Sequence, residues 1–227
     1  MQSPSADEWT TPHLDASALL VIDMQADFLD GGAAPISGSS AVLPTLTGLV
    51  SGFRAAGLPI FHVVRLYAGS DVDLVRRAAV LAGRGPVAPG SAGAEVPAEL
   101  LGGAAPLDVE TLLAGAAQPV GAREWLLWKP RWSAFHRTDL DARLRRLGVD
   151  TVVVAGCNLP NCPRATILDA TALDYRVVMV SDALSRVSGE RWQDLLGVGA
   201  VGASASELLA ELAAPRSECR IDPGGRP

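Results

Sequence analysis

The chain has 227 residues, 48% of them hydrophobic and 19% charged, which suffices for one α/β domain with a full core and no staples. Lys and Arg number 19 against 25 Asp and Glu, a formal net charge of −6, and this excludes a basic surface for nucleic acid. No apolar run approaches the ~20 residues of a membrane span, residues 1–13 lack the basic start and apolar block of a secretory signal, and three cysteines suit a reducing cytoplasm rather than a disulfide framework.

Residues 1–14 read as a surface arm, with Trp9 as a packing contact. Ala16 to Met24 is the first strand. Its run Leu19-Leu20-Val21-Ile22 has no alternation, the pattern of a strand covered on both faces of a parallel sheet. It closes on Asp23, a carboxylate that is expensive there unless paired or functional. Leu29 to Ser40 is a loop. Apolar residues at 42, 43, 46, 49, 50 and 53 predict a helix over Ala41 to Ala56, stopped by Gly57. Pro59 to Leu66 is a second strand, and Asp71 to Leu81 a short helix.

Gly83 to Gly121 is rich in Gly, Pro and Ala, with a helical piece near Leu107 to Ala114. A long irregular stretch in a compact domain serves as a lid, an insertion or an interface. It is not a linker, because the following strands return to the same sheet. Glu124 to Trp128 is the third strand and ends in Lys129-Pro130. Thr138 is the expected N-cap of a helix over Asp139 to Leu147, with Arg143, Arg145 and Arg146 late, as the dipole prefers.

Thr151 to Ala155 is another fully buried strand, ended by Gly156. Asn158, Pro160 and Asn161 are turn formers. Cys162-Pro163 then opens a helix running through Arg164 to Leu173, and Pro163 suits its first turn. Arg176 to Val180 is a strand ending in Ser181-Asp182. Ser188 to Leu196 is helical, Val198 to Val201 a short edge strand, and Ser204 to Ala213 a last helix capped by Ser204 or Ser206. A tail follows from Pro215. Alternating strands and helices imply a single α/β domain with a parallel sheet, covered on both faces and joined by right-handed crossovers.

Asp23, Lys129 and Cys162 all sit at carboxyl ends of apolar strands, which in a parallel sheet share one rim. Cys162 also lies at a helix N-terminus, where the dipole and free N–H groups favour a thiolate. A Lys129 ammonium would lower the thiol pKa further. Asp23 could take the thiol proton and hand it to a leaving group, and the turn after Gly156 would present N–H groups to an oxyanion. The plain alternatives are a structural Asp–Lys ion pair and a small buried thiol. Cys157 reads as buried and inert. Cys157 and Cys162 lack C-x-x-C spacing and a nearby His, which argues against a redox or metal pair. Cys219, in the tail, needs no role.

Three blocks in order carry a resemblance: Leu20-Val-Ile-Asp23-Met-Gln-Ala-Asp-Phe28, Trp128-Lys129-Pro-Arg-Trp-Ser-Ala-Phe135, and Val154-Ala-Gly-Cys-Asn-Leu-Pro-Asn-Cys162-Pro-Arg-Ala-Thr-Ile-Leu-Asp-Ala170, with Ser181-Asp182-Ala183 also fitting. From about residue 16 to 213 the chain resembles the isochorismatase-like cysteine hydrolases. The resemblance implies a three-layer sandwich, a six-stranded mostly parallel sheet with helices on both faces. It implies an Asp23–Lys129–Cys162 triad, a cis peptide at Cys157–Asn158, and an oxyanion hole from the N–H groups of Asn158 and Cys162. It also implies a homo-oligomer, dimer or tetramer, to which segment 83–121 would contribute contacts.

Nicotinamidase members of that family carry an Asp-x-His-x-x-His metal site after the second strand. Here that stretch is Val63-Val-Arg-Leu-Tyr-Ala-Gly-Ser70, and His13, His62 and His136 form no substitute. No metal and no cofactor is therefore expected. Cys162 points to the amidase branch, acting on a small amide, carbamoyl or lactam C–N bond. Phe28, Trp132, Phe135, Leu159 and Asn161 lie close in sequence to the three catalytic positions and are the expected pocket walls. Arg65, ending the second strand, would meet a polar or anionic substrate or pair with an acid at the rim. Two rival readings remain: acid-catalysed vinyl-ether cleavage by Asp23, and a non-catalytic binding subunit.

Overall fold

The computed structural model describes residues 7–214. Tail residues from Pro215, with Cys219, lie outside them, as do residues 1–6 of the expected arm. The strands are β1 (Ser17–Ile22), β2 (Ile60–Val64), β3 (Gln118–Gly121), β4 (Glu124–Trp128), β5 (Thr151–Gly156), β6 (Arg176–Leu184) and β7 (Val201–Ala203). The helices are α1 (Ser39–Ala55), α2 (Leu74–Leu81), α3 (Ala98–Leu101), α4 (Val109–Leu113), α5 (Leu140–Arg146), α6 (Cys162–Ala172), α7 (Gly189–Leu196) and α8 (Ala205–Ala213).

One seven-stranded sheet has the order β3-β4-β2-β1-β5-β6-β7, parallel except for β3, which runs antiparallel to β4. The expectation of six strands is thus corrected. β3 comes from the end of the irregular segment and adds an edge hairpin that sequence patterning does not reveal. β6 runs four residues past its expected end, and the edge strand β7 lies at Val201–Ala203 rather than Val198–Val201.

Every residue of β1 and β5 is buried. Successive side chains of a strand point to opposite faces, and the two cores follow that alternation. Leu19 and Val21 join Leu46, Leu49, Val50 and Phe53 of α1 and Leu208 of α8 on one side. Ala18, Leu20 and Ile22 join Leu140 and Leu144 of α5, Ile167 of α6 and Leu195 of α7 on the other. The result is three layers, helix, sheet and helix.

Segment 83–121 packs against the α1 side. Val87, Ala94, Val96, Leu100, Leu101, Leu107 and Leu112 all belong to that core. Asp139, not Thr138, is the N-cap of α5, and its carboxylate engages Arg143; Thr138 instead donates its hydroxyl to the Ala134 carbonyl. Ser204 caps α8 in a reciprocal box with Glu207. Trp9, expected to pack, is 75% exposed. Among the described residues no helix is long and apolar enough to cross a membrane.

Candidate active site

The ends of β1, β2, β4 and β5 are tied in register by backbone hydrogen bonds. The Asp23 N–H donates to Val63 O at 2.9 Å, the Lys129 N–H to Val64 O at 3.0 Å, and the Cys157 N–H to Ile22 O at 2.9 Å. The four residues that leave this rim therefore converge. Asp23 has φ +53°, a left-handed conformation uncommon for a residue with a Cβ. Gly156 has φ +110°, and a Cβ there would lie 2.3 Å from Ile22 O. Only glycine lets the end of β5 approach β1 this closely. The Cys157–Asn158 peptide bond is cis.

Lys129 is fully buried, with Nζ 3.0 Å from each Asp23 carboxylate oxygen. It donates to Oδ2, while Oδ1 is buried without a protein hydrogen bond. Cys162 is the first residue of α6, after the N-cap Asn161, and is buried. The structure thus brings Asp23, Lys129 and Cys162 together. The thiol departs from expectation in one respect. Burial and then the Asp23 charge push its pKa up, and Lys129 and Arg65 only partly oppose them. The shift favours a resting thiol over a preformed thiolate. Cys157 is buried too, and loss of water pushes its thiol up to about 12.

Arg65 is buried deep in the same cluster. Its Nη2 lies 3.3 Å from Cys162 Sγ, its Nη1 2.8 Å from Asp73 Oδ2, and its Nε 3.8 Å from Asp23 Oδ2. Burial disfavours its charge, but Asp23, Cys162 and Asp73 more than offset this and raise its pKa. The guanidinium stacks over the Tyr67 ring at 5.6 Å, and the Tyr67 hydroxyl donates to Asp73. Gln25 fixes the backbone here: its Oε1 accepts from the Arg65 N–H, and its Nε2 donates to Arg65 O and Ala94 O. Of the two roles expected for Arg65, pairing with a rim acid is the one present.

A cavity of about 320 Å3 opens onto this cluster. Of the expected walls, Phe28, Arg65, Trp132 and Asn161 line it, with Asn158 and Cys162. Phe135 and Leu159 do not. Phe135 stacks on Tyr175 at 5.7 Å, and Leu159 is wholly buried in the core under α6. Both follow site residues in sequence, yet their side chains turn away from the rim. Ile36, Tyr67, Val75 and Arg76 complete the wall, and Asp73 braces Arg65 behind it. Sequence reasoning does not find these five, because a loop and a short helix of ordinary composition give no sign of facing the rim.

The N–H groups of Asn158 and Cys162 make no hydrogen bond among the described residues. Free backbone donors beside a buried sulfur are uncommon and suit a developing oxyanion. No group of three His, Cys, Asp or Glu among the described residues is placed to hold a metal ion.

A family model for the isochorismatase domain matches residues 17–206. "Probable inactive nicotinamidase At3g16190" of Arabidopsis thaliana is 35% identical over 179 residues, which cover 77% of this chain and 83% of the relative. A crystal structure of an isochorismatase family protein from Desulfovibrio vulgaris shares 38% identity and a TM-score of 0.74, over 88% of this chain and 99% of that one. N-carbamoylsarcosine amidase from Thermoplasma acidophilum shares 26% identity and a TM-score of 0.65, over 83% of this chain and 96% of its own. The chain belongs to the isochorismatase family.

Proposed function

We propose that this protein hydrolyses the C–N bond of a small amide, carbamoyl compound or lactam through a thioester on Cys162, with Asp23 as acid and base. The observation that carries the reading is the meeting of a buried thiol, a Lys129-bound Asp23 and two unclaimed N–H groups at the wall of one small cavity. The similarity to an N-carbamoylsarcosine amidase supports C–N chemistry.

The thiol proton passes to Asp23 as sulfur adds to the substrate carbonyl carbon. The displaced π electrons settle on oxygen, which the N–H groups of Asn158 and Cys162 receive. Collapse re-forms the carbonyl and breaks the C–N bond, and the nitrogen leaves with the proton from Asp23. Water then gives a proton to Asp23 as its oxygen adds to the thioester. A second collapse releases the acid, and the proton returns from Asp23 to sulfur. Lys129 keeps Asp23 in place and offsets its charge throughout. Ether cleavage by Asp23 alone would leave the thiol and both free N–H groups without a part.

The test is a panel of small amides, ureides and lactams, with intact-protein mass spectrometry for an acyl adduct at Cys162. Turnover should vanish in Cys162→Ala and Cys162→Ser while both variants fold. Undiminished amide hydrolysis by Cys162→Ala would sink the proposal.

A further inference from the structure

A second cavity, of about 410 Å3, opens at the amino-terminal end of the sheet, the end opposite Cys162. It lies between the end of α1, the end of α3 and the β3–β4 hairpin. β2 starts there at Ile60 and β4 at Glu124, and both strands run from it toward the catalytic rim. At ~3.3 Å per residue, the length of β2 sets the two cavities roughly 15 Å apart. Leu58, Ile60, Leu101 and Val120 give the second cavity apolar walls, and its volume is within the range of small-molecule sites.

Its charges do not cancel. Arg54 donates to Glu124 Oε2 through Nε and to Oε1 through Nη2, both at 2.7 Å, which uses one edge of the guanidinium. Glu124 Oε1 also meets His62 Nε2 at 2.6 Å, so both oxygens of that carboxylate are engaged and Arg54 offsets its charge. Arg54 Nη1 is left over: it makes no hydrogen bond among the described residues. Gly102, at φ +70°, faces it without a side chain, and a Cβ there would lie 3.5 Å from Nη1. Arg123, in the hairpin turn, lines the same cavity, is exposed and makes no ion pair among the described residues. Arg131, Arg137, Arg143 and Arg145, by contrast, each hold a carboxylate.

We propose that this cavity is a second ligand site, for a small monocarboxylate with an apolar body. The carboxylate lies between Arg54 Nη1 and Arg123, whose guanidinium groups match its geometry. The body covers Leu58, Ile60, Leu101 and Val120 and removes their surface from water. Discrimination follows from the lining. A neutral apolar molecule leaves the guanidinium groups to water, and an inorganic anion leaves the walls wet. A second negative group is turned away by Glu124, which already holds the other edge of Arg54. The site is separate from the thioester chemistry and stands whether or not that reading holds.

Isothermal titration calorimetry on the full chain tests this with hexanoate, its neutral amide and acetate. Wild type should bind hexanoate about tenfold or more tighter than hexanamide, which lacks the charge, and than acetate, which lacks the body. Arg123→Ala should weaken hexanoate about tenfold, and Arg123→Glu should weaken it further. Arg123 is exposed, so neither change disturbs the core. Val120→Trp fills the cavity from the half-buried edge strand and should remove binding, with an unchanged melting temperature as the check on folding. Absence of saturable binding by wild type at millimolar hexanoate overturns the proposal. Equal affinity for hexanoate in wild type and Arg123→Glu overturns it too, because the acid then sits elsewhere, the catalytic cavity included.

Discussion

Arg65 Nη2 lies 3.3 Å from Cys162 Sγ, and both side chains are buried. The guanidinium is the second cation to act on the sulfur, after Lys129, and both lower a thiol pKa that burial and Asp23 raise. It is also the partner of buried Asp73. Removing Arg65 alone would therefore leave Asp73 uncompensated and destabilise by about 3–5 kcal/mol. The double variant Arg65→Met/Asp73→Asn removes both charges at once. It should fold, and the pH midpoint for Cys162 alkylation should move upward because a stabiliser of the thiolate is gone. An unmoved midpoint would show that Arg65 does not act on the sulfur.

Lys129 and Asp23 are a buried pair, and among the described residues no other carboxylate reaches the ammonium. Lys129→Met leaves the buried Asp23 carboxylate without its hydrogen-bonded cation, with Arg65 Nε 3.8 Å away as the remaining positive charge, and its expected cost is about 3 kcal/mol in urea denaturation. Asp23→Asn keeps the shape and removes the proton carrier. Turnover should fall by about 10²–10⁴, while single-site alkylation of Cys162 remains measurable. Retention of turnover in Asp23→Asn would remove Asp23 from the proposed mechanism.

How much of the fold and site is legible in the sequence depends on the physical signal each residue leaves. β1 and β5 are buried on both faces, so their apolar runs are plain, and Asp23, Lys129 and Cys162 stand out by closing such runs. β3 carries Pro119 and Gly121 and pairs on one side only, so it leaves neither a run nor an alternation. The side chain of Leu159 turns into the core while its N–H donates to Ser185 O, and nearness to Cys162 in sequence conceals this. The direction of the Cys162 shift runs against the motif because burial does not appear in a motif. The helix terminus and Lys129 are visible there, but the loss of water is not. Arg65 is evident at a strand end, yet its partner Asp73 lies at the cap of a helix whose orientation only the fold determines.

Gly156 offers a test of the rim's closeness. Gly156→Ala would place a Cβ 2.3 Å from Ile22 O at φ +110°. The expected loss is about 3 kcal/mol, and the turn carrying Asn158 and Cys162 should move away from Asp23, so turnover should fall as well. Gly48→Ala is the contrast: Gly48 is exposed within α1 with nothing near its absent Cβ, and the change should stabilise by about 0.5–1 kcal/mol. Equal melting temperatures for the two variants would refute the argument from close approach.

The far end of the sheet holds a second buried charge cluster that sets the acid stability of the fold. His62 Nε2 lies 2.6 Å from Glu124 Oε1, and Arg54 spans both carboxylate oxygens at 2.7 Å. Burial lowers the His62 pKa below its usual 6.5 despite Glu124. The unfolded chain therefore takes up a proton near pH 6.5 that the folded chain takes up only at lower pH. That contribution is complete above 6.5 and is lost as pH falls through the folded value. Burial would raise Glu124, but His62 and Arg54 outweigh it and bring it from 4.5 to about 2. Its contribution is complete above 4.5 and is lost as pH falls toward 2. The urea midpoint should fall as pH drops below 6.5, and it should also fall as pH rises past 9.0, where the unfolded chain ionises Cys157 and Cys162 and the folded chain does not. Each unit by which His62 is lowered is worth about 1.4 kcal/mol. His62→Gln offers Glu124 a donor without a titrating ring, so the limb that starts below 6.5 should flatten while the drop due to Glu124, below 4.5, remains. An unchanged slope in that limb would assign the loss to other groups.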